Sequence, residues 1–166
     1  YSSGLATMFS RDVQMIMESD NYQQIFPDTI MAGTERAKDL ESFNARSKRT
    51  TDYFEIVGTK GKFTSVGVGG AITGKGGNLL LLDDPVKNSE EADSEVYRNK
   101  IWDWYNTTYY TRAEKGANIL LIMTRWHVDD LAGRLLEEMA NGGDQWEVIE
   151  LPAINLDGPN KYDPRK

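Results

Sequence analysis

The sequence predicts an α/β fold, a mainly parallel sheet flanked by helices. Two short apolar runs, Leu79 to Leu82 and Asn118 to Thr124, have the length of buried strands. Between them lies a stretch with helical spacing, and a second helical stretch follows. Strands that alternate with helices in this way form parallel βαβ units.

Each element has its own signal. Leu5, Phe9, Val13 and Ile16 recur about every 3.6 residues, with Met8 and Met17 beside them, which predicts an amphipathic helix over Leu5 to Met17. "NYQQIFPDT" ends it, with Pro27 as the breaker. Residues 33–49 are polar and mixed in charge, an exposed loop or short helix. "DYFEIVG", "TKGK" and "FTSVGVGG" alternate and turn as an inserted β-hairpin. Leu79 to Leu82 predicts a strand buried on both faces.

Asn88 opens an N-x-x-E capping pattern with Glu91. The helix behind it carries Tyr97, Ile101, Trp104, Tyr105 and Thr108 on one stripe and is expected to end at Gly116. Asn118 to Thr124 is the next strand. Val128, Leu131, Leu135 and Met139 mark a helix closed by Gly142-Gly143, and "WEVIELPAI" predicts a third strand.

Composition narrows the function. A chain of 166 residues is one domain's worth and buries a single core. Its formal charge of −7 argues against nucleic-acid binding through a basic surface, though not against a machine whose DNA-gripping part lies elsewhere in a longer chain. The lack of cysteine excludes a disulfide framework, a thiolate metal site and a cysteine nucleophile. No apolar run approaches the roughly 20 residues that span a bilayer, and the first residues lack the pattern of a signal peptide. The chain has no initiator methionine and reads as a piece of something larger.

Gly69 to Lys75 reads G-x-x-x-x-G-K, the front of a phosphate-binding loop. A working loop needs Ser or Thr after the lysine and must open a helix. Here Gly76 follows and the chain enters a strand, so a flexible glycine-rich turn is the better reading.

The acids behind it carry more. A buried strand ending in Asp83-Asp84 sets two carboxylates at the carboxyl edge of a parallel sheet, where α/β folds bind ligands. In nucleotide hydrolysis the first acid of such a pair holds Mg²⁺, and the second orients the attacking water or accepts its proton. The plainer alternative is that the acids only end a strand before Pro85, since Asp-Pro is ordinary turn chemistry.

"GGAITGKGGNLLLLDDPVKNSEEADSEVYRNKIWDWYNTTYYTR", followed by "GANILLIMTRWHVDDLAGRLLEE", resembles the ATPase part of the large terminase subunit of tailed bacteriophages and prophages. The DDP signature and the R-W-H-x-D-D-L-x-G block, in that order, carry the resemblance, which extends from "YSSGLATMFSRDV" to "WEVIELPAI". It implies a RecA-like P-loop NTPase of the additional-strand, catalytic-acid type. ATP and Mg²⁺ are the implied cofactors, and the implied activity is ATP hydrolysis that drives viral DNA into the procapsid.

The same resemblance implies site residues. Asp83 matches the Walker B acid that holds Mg²⁺ through water. Asp84 stands where most relatives have the catalytic glutamate, and its side chain is one methylene shorter. Thr124 matches the coupling residue that senses the γ-phosphate, the alternative being a plain β-branched strand residue. Lys75, before Gly76, stands where many terminases carry a finger arginine that reaches the neighbouring subunit's nucleotide. A lysine brings charge without the bidentate fork, and a surface loop lysine is the alternative.

The implied partners are double-stranded DNA, the portal protein, the small terminase subunit and further copies in a ring, in the host cytoplasm and without a membrane. Residues 1–154 would form a partial ATPase domain, with the Walker A segment upstream. Residues 155–166 would begin a linker towards a nuclease. Such a piece alone is expected to bind ATP weakly or not at all. Two other readings stay open: a non-catalytic α/β interaction module and a helicase-like ATPase.

The remaining candidates read as structural. His127 is the single histidine, beside Asp129 and Asp130, which are expected in the first turn of a helix where carboxylates suit the dipole. Arg125 and Trp126 are expected to pack or hydrogen-bond around the coupling strand. Trp102, Trp104, Tyr105, Tyr109 and Tyr110 lack interleaved basic residues, which favours core or interface packing over base stacking.

Overall fold

A computed structural model describes residues 3–41, 48–72, 74 and 76–152. Lys75 and residues 153–166, which include the expected linker, lie outside the described residues. The chain is mixed α/β. Helix α1 spans Ser3–Glu18, and α2 spans Asp20–Ile25 with Ser19 as its N-cap. A 3₁₀ turn (Glu35–Ala37) and the short α3 (Lys38–Glu41) follow.

Strands β1 (Tyr53–Glu55) and β2 (Lys62–Thr64) pair antiparallel, with Phe54 opposite and stacked on Phe63, so the expected hairpin is present. β3 (Gly77–Asp83) and β4 (Ala113–Ile122) pair in parallel, Leu80 against Ile119 and Asp83 against Ile122. The crossover between them holds α4 (Ser89–Asp93) and α5 (Glu95–Trp104), and α6 (Leu131–Ala140) follows β4.

The sheet packs one face on the helices. Leu80 and Leu82 join Ile101, Tyr105 and Tyr109 from the crossover and Leu131 and Leu135 from α6 in the main core. The other face is open: Leu79 is 64 % exposed, and Leu81, Leu120 and Ile122 lie exposed with it. The apolar run of β3 is therefore buried on one face and not on both. The described helices pack against one side of a strand whose side chains alternate between faces.

Three further expectations need correction. The helix opened by Asn88 does not run to Gly116. Asn88 caps only α4, with its side chain accepting the Glu91 N–H at 2.9 Å, and Ser94 then caps a new helix. Past Trp104 the chain widens into a π-turn (Tyr105–Tyr109), tightens through Tyr110–Arg112 and enters β4 at Ala113. Gly116, at φ +80°, lies inside β4. There the register slips between Gly77 and Leu79, a bulge that only glycine enters without cost.

Trp146 to Pro152 forms no strand, and among the described residues the parallel sheet has two strands. Only Trp146 of that segment packs on the main core, while Val148, Ile149 and Leu151 stay exposed. Alternating apolar residues state a preference, but a strand needs an edge to pair with.

Helix α1 forms where its spacing predicts it, but the face it buries differs. Phe9 and Ile16, the latter 60 % exposed, point outward, while Ser10 and Gln14 are buried. The Gln14 amide donates to the Thr50 carbonyl at 3.0 Å and accepts from Arg49 Nε at 2.7 Å, so polar contacts set the face of α1.

Candidate functional site

Parallel pairing brings the carboxyl ends of β3 and β4 to one edge of the sheet, which is what sets Asp83, Asp84 and Thr124 near one another. Asp83 is the last residue of β3 and its side chain is exposed. The Asp84 N–H donates to the Ile122 carbonyl at 2.8 Å, which extends the ladder by one step. Its Oδ1 in turn accepts the Thr124 N–H at 3.4 Å. The two residues named from the sequence as water-orienting acid and coupling residue thus meet, through the backbone amide of Thr124.

Asp84 is the one non-glycine residue with positive φ among the described residues, at +44°. Left-handed backbone is unfavourable for a side chain with a Cβ, and such strain persists only where the surroundings impose it. Pro85 and Val86, both buried, supply that constraint directly behind it.

The loop after Thr124 is locked by the R-W-H-x-D-D-L-x-G block. Asp130 is 2 % exposed and caps α6, accepting the Gly133 N–H at 2.9 Å on Oδ1 and Arg125 Nε at 2.8 Å on Oδ2. A Cβ on Gly133 would stand 1.9 Å from the Val128 carbonyl oxygen, so the block's glycine permits a close approach of two backbones. Asp130 is the N-cap and Asp129 precedes it, so both stand just before the first helical turn in which the sequence reading set them. A cap needs its side chain to fold back on the N–H groups of the helix, which a residue inside the turn cannot do. His127 Nδ1 accepts the Asp129 N–H at 3.0 Å, a bond within the loop.

Asp129 is the centre of a second lock. Its Oδ1 accepts Arg134 Nε at 2.7 Å and its Oδ2 accepts Arg98 Nε at 3.0 Å. The hydrogen bonds from Arg134, and then those from Arg98, hold its carboxyl far below the usual carboxylate range against the opposing effect of burial. Arg98 also donates to the Ala92 carbonyl at 2.7 Å, and Arg134 reaches Asn99 at 2.8 Å while lying over the Trp102 ring. The crossover helices and the loop after β4 are thereby joined. Sequence reasoning missed Arg98 and Arg134. Arg134 was legible as the cation that directly follows the block, but Arg98 has no local signal because its partner lies 31 residues away.

Chemically, the edge offers two carboxylates and a backbone donor. A hard divalent cation that keeps most of its water is held by one or two carboxylates together with substrate phosphates. The exposed Asp83 carboxylate fits that use. Among the described residues, no three acids or histidines converge as a closed metal cage. No helix of the described residues is long and apolar enough to cross a membrane.

No curated protein and no solved structure matches the chain. The family model described as terminase large subunit, T4likevirus-type, N-terminal, matches residues 5–163, a span that includes the two acids, β4 and the R-W-H block. The chain belongs to the terminase large subunit family, as part of its N-terminal domain.

Proposed function

We propose that this chain is the hydrolysis half of a RecA-like ATPase motor that packages viral DNA, with Mg²⁺-ATP bound at the carboxyl edge of β3 and β4. The observation that carries the reading is the meeting of Asp84 and Thr124 at that edge, with Asp84 in strained backbone. Strain of this kind clusters at functional sites.

Asp83 would hold the hydrated Mg²⁺, which neutralises charge on the transferring phosphoryl group. Asp84 would orient the attacking water and take its proton. Its shorter side chain demands a closer water than glutamate does, and the Thr124 amide restricts where its carboxylate can point. Thr124 begins the loop that Asp130 and Asp129 lock to the helices, so a shift at the nucleotide would reach α5 and α6 through those ion pairs. Lys75 is proposed as the finger towards a neighbouring copy in a ring. DNA, the portal and the small subunit are proposed as the partners, in the host cytoplasm.

The test is ATP turnover by the full-length protein, wild type beside Asp84→Asn, with and without double-stranded DNA. Asp84→Asn should lower turnover by at least about a hundredfold, within the span typical of a lost general base, and leave nucleotide binding largely intact. Unchanged turnover would remove Asp84 from the mechanism.

A further inference from the structure

Away from the strand edge, a cavity of about 420 Å³ opens between the π-turn and the C-terminal end of α6. Tyr105, Tyr110 and Trp146 contribute rings to its wall, Leu135 its apolar base, and Glu138 and Asp144 its charge. Nothing in the proposed motor uses it. Its size lies at the small end of the range for ligand sites, enough for one side chain or a compact molecule.

Three features of the wall point to the same ligand. First, Glu138 and Asp144 are two carboxylates in one wall, and among the described residues neither forms an ion pair. Among the described residues, the Tyr110 hydroxyl is the hydrogen-bond partner of Asp144, donating to its Oδ2 at 2.7 Å. Second, Tyr105 is 2 % exposed, yet its buried hydroxyl has no hydrogen-bond partner among the described residues. Buried polar groups are nearly always paired, so such a hydroxyl asks for an explanation. Burial raises the pKa of this hydroxyl most, and Tyr110, Asp144 and Glu138, which line the same cavity as Tyr105, raise it further. Third, the exposed Tyr110 and the half-buried Trp146 offer flat, electron-rich rings.

We propose that this cavity is a binding site for a guanidinium group. A planar cation stacks on tyrosine and tryptophan faces and donates its N–H fork to carboxylates. A bare divalent cation would want a shell of oxygens, which rings cannot supply. DNA would be repelled by the two acids. Two sources offer the group: an arginine side chain presented by a partner protein, and free arginine.

The test uses the full chain and follows the Trp146 indole N–H by NMR at constant ionic strength. Three probes are titrated: N-acetyl-L-arginine amide, free L-arginine and the neutral N-acetyl-L-citrulline amide. A saturable shift with an arginine probe and none with citrulline supports the site. Tighter binding of the acetylated amide identifies an arginine within a chain as the ligand, and tighter binding of free arginine identifies the amino acid. Glu138→Gln and Asp144→Asn, both at exposed positions where the fold should tolerate them, should each weaken binding about five- to tenfold. Equal shifts with citrulline, no saturable shift with any probe, or unchanged affinity in both variants would overturn the proposal.

Discussion

The hairpin side and the parallel-sheet side of this molecule are held by different forces. Around the hairpin the compact core is small, Ala32, Ala37 and Val57 with Ile30. The long-range contacts there are polar: Gln14 to the Thr50 carbonyl, Arg49 to Gln14 and to Glu18, and the Ser65 hydroxyl to the Ala6 carbonyl. Around β3 and β4, leucines and tyrosines form a continuous core, and buried ends of charged side chains lock the loop above it. The candidate site is built on the second kind of structure. Holding residues from two strands within one hydrogen bond needs elements whose positions are over-determined, and a dense core does that better than single polar contacts, each worth about 1 kcal/mol net.

That contrast can be broken by mutation, most strongly at the cores. Tyr105→Ala should cost about 4 kcal/mol, as expected for emptying a large aromatic site. Gln14→Ala on the other side should cost nearer 1.5 kcal/mol, since it removes polar contacts and not a large apolar ring. Urea unfolding of both variants measures the difference, and equal costs would erase the distinction between the two sides.

Next in size is Asp130→Ala, expected at about 3 kcal/mol because it removes an N-cap and the buried partner of Arg125 together. If thermal melting shows a loss below about 1 kcal/mol, typical of an exposed ion pair, the loop is held by something other than this carboxylate.

A smaller change of opposite sign tests the strain at the site. Asp84→Gly should raise stability by about 1 kcal/mol by relieving left-handed backbone, while removing the carboxylate the proposed hydrolysis needs. A drop in the melting temperature would show that the Asp84 side chain is structural.

The smallest effect is the pH dependence of the ion cluster. Folding lowers the pKa of Asp129, so the unfolded chain takes up its proton first as the solution is acidified, near the ordinary value of about 3.9. The contribution of this group is fully present above about pH 5 and is lost as the pH falls through the unfolded and then the folded value. Unfolding free energy measured between neutral pH and pH 3 should fall less steeply in Asp129→Asn than in wild type. Parallel slopes would mean that the two arginines do not stabilise the charged form.

Legibility from the sequence followed the range of the physics. α1, the hairpin, the strands ending at Asp83 and before Thr124, and the helix through Leu131 and Leu135 all announced themselves through local periodicity. The edge that unites Asp83, Asp84 and Thr124 was legible too, because two buried-type strands around a helical stretch imply parallel pairing. The clamp on Asp129 was not, because Arg98 meets it only after the crossover has folded back. The predicted strand from Trp146 failed for a related reason: pairing is decided by a neighbouring edge and not by the segment itself.

By itself, then, the sequence determined α1, the hairpin, the two strands that carry the acids and Thr124, and the last helix, together with the resemblance that the family match bears out. Those properties depend on side-chain spacing within a few turns. Only the tertiary structure decided which face of α1 is buried, which face of β3 stays open, and that Asp84 is held in left-handed backbone against the Thr124 amide. Each of these is a choice between partners distant in the chain, and chain geometry makes that choice only once the strands and helices have packed.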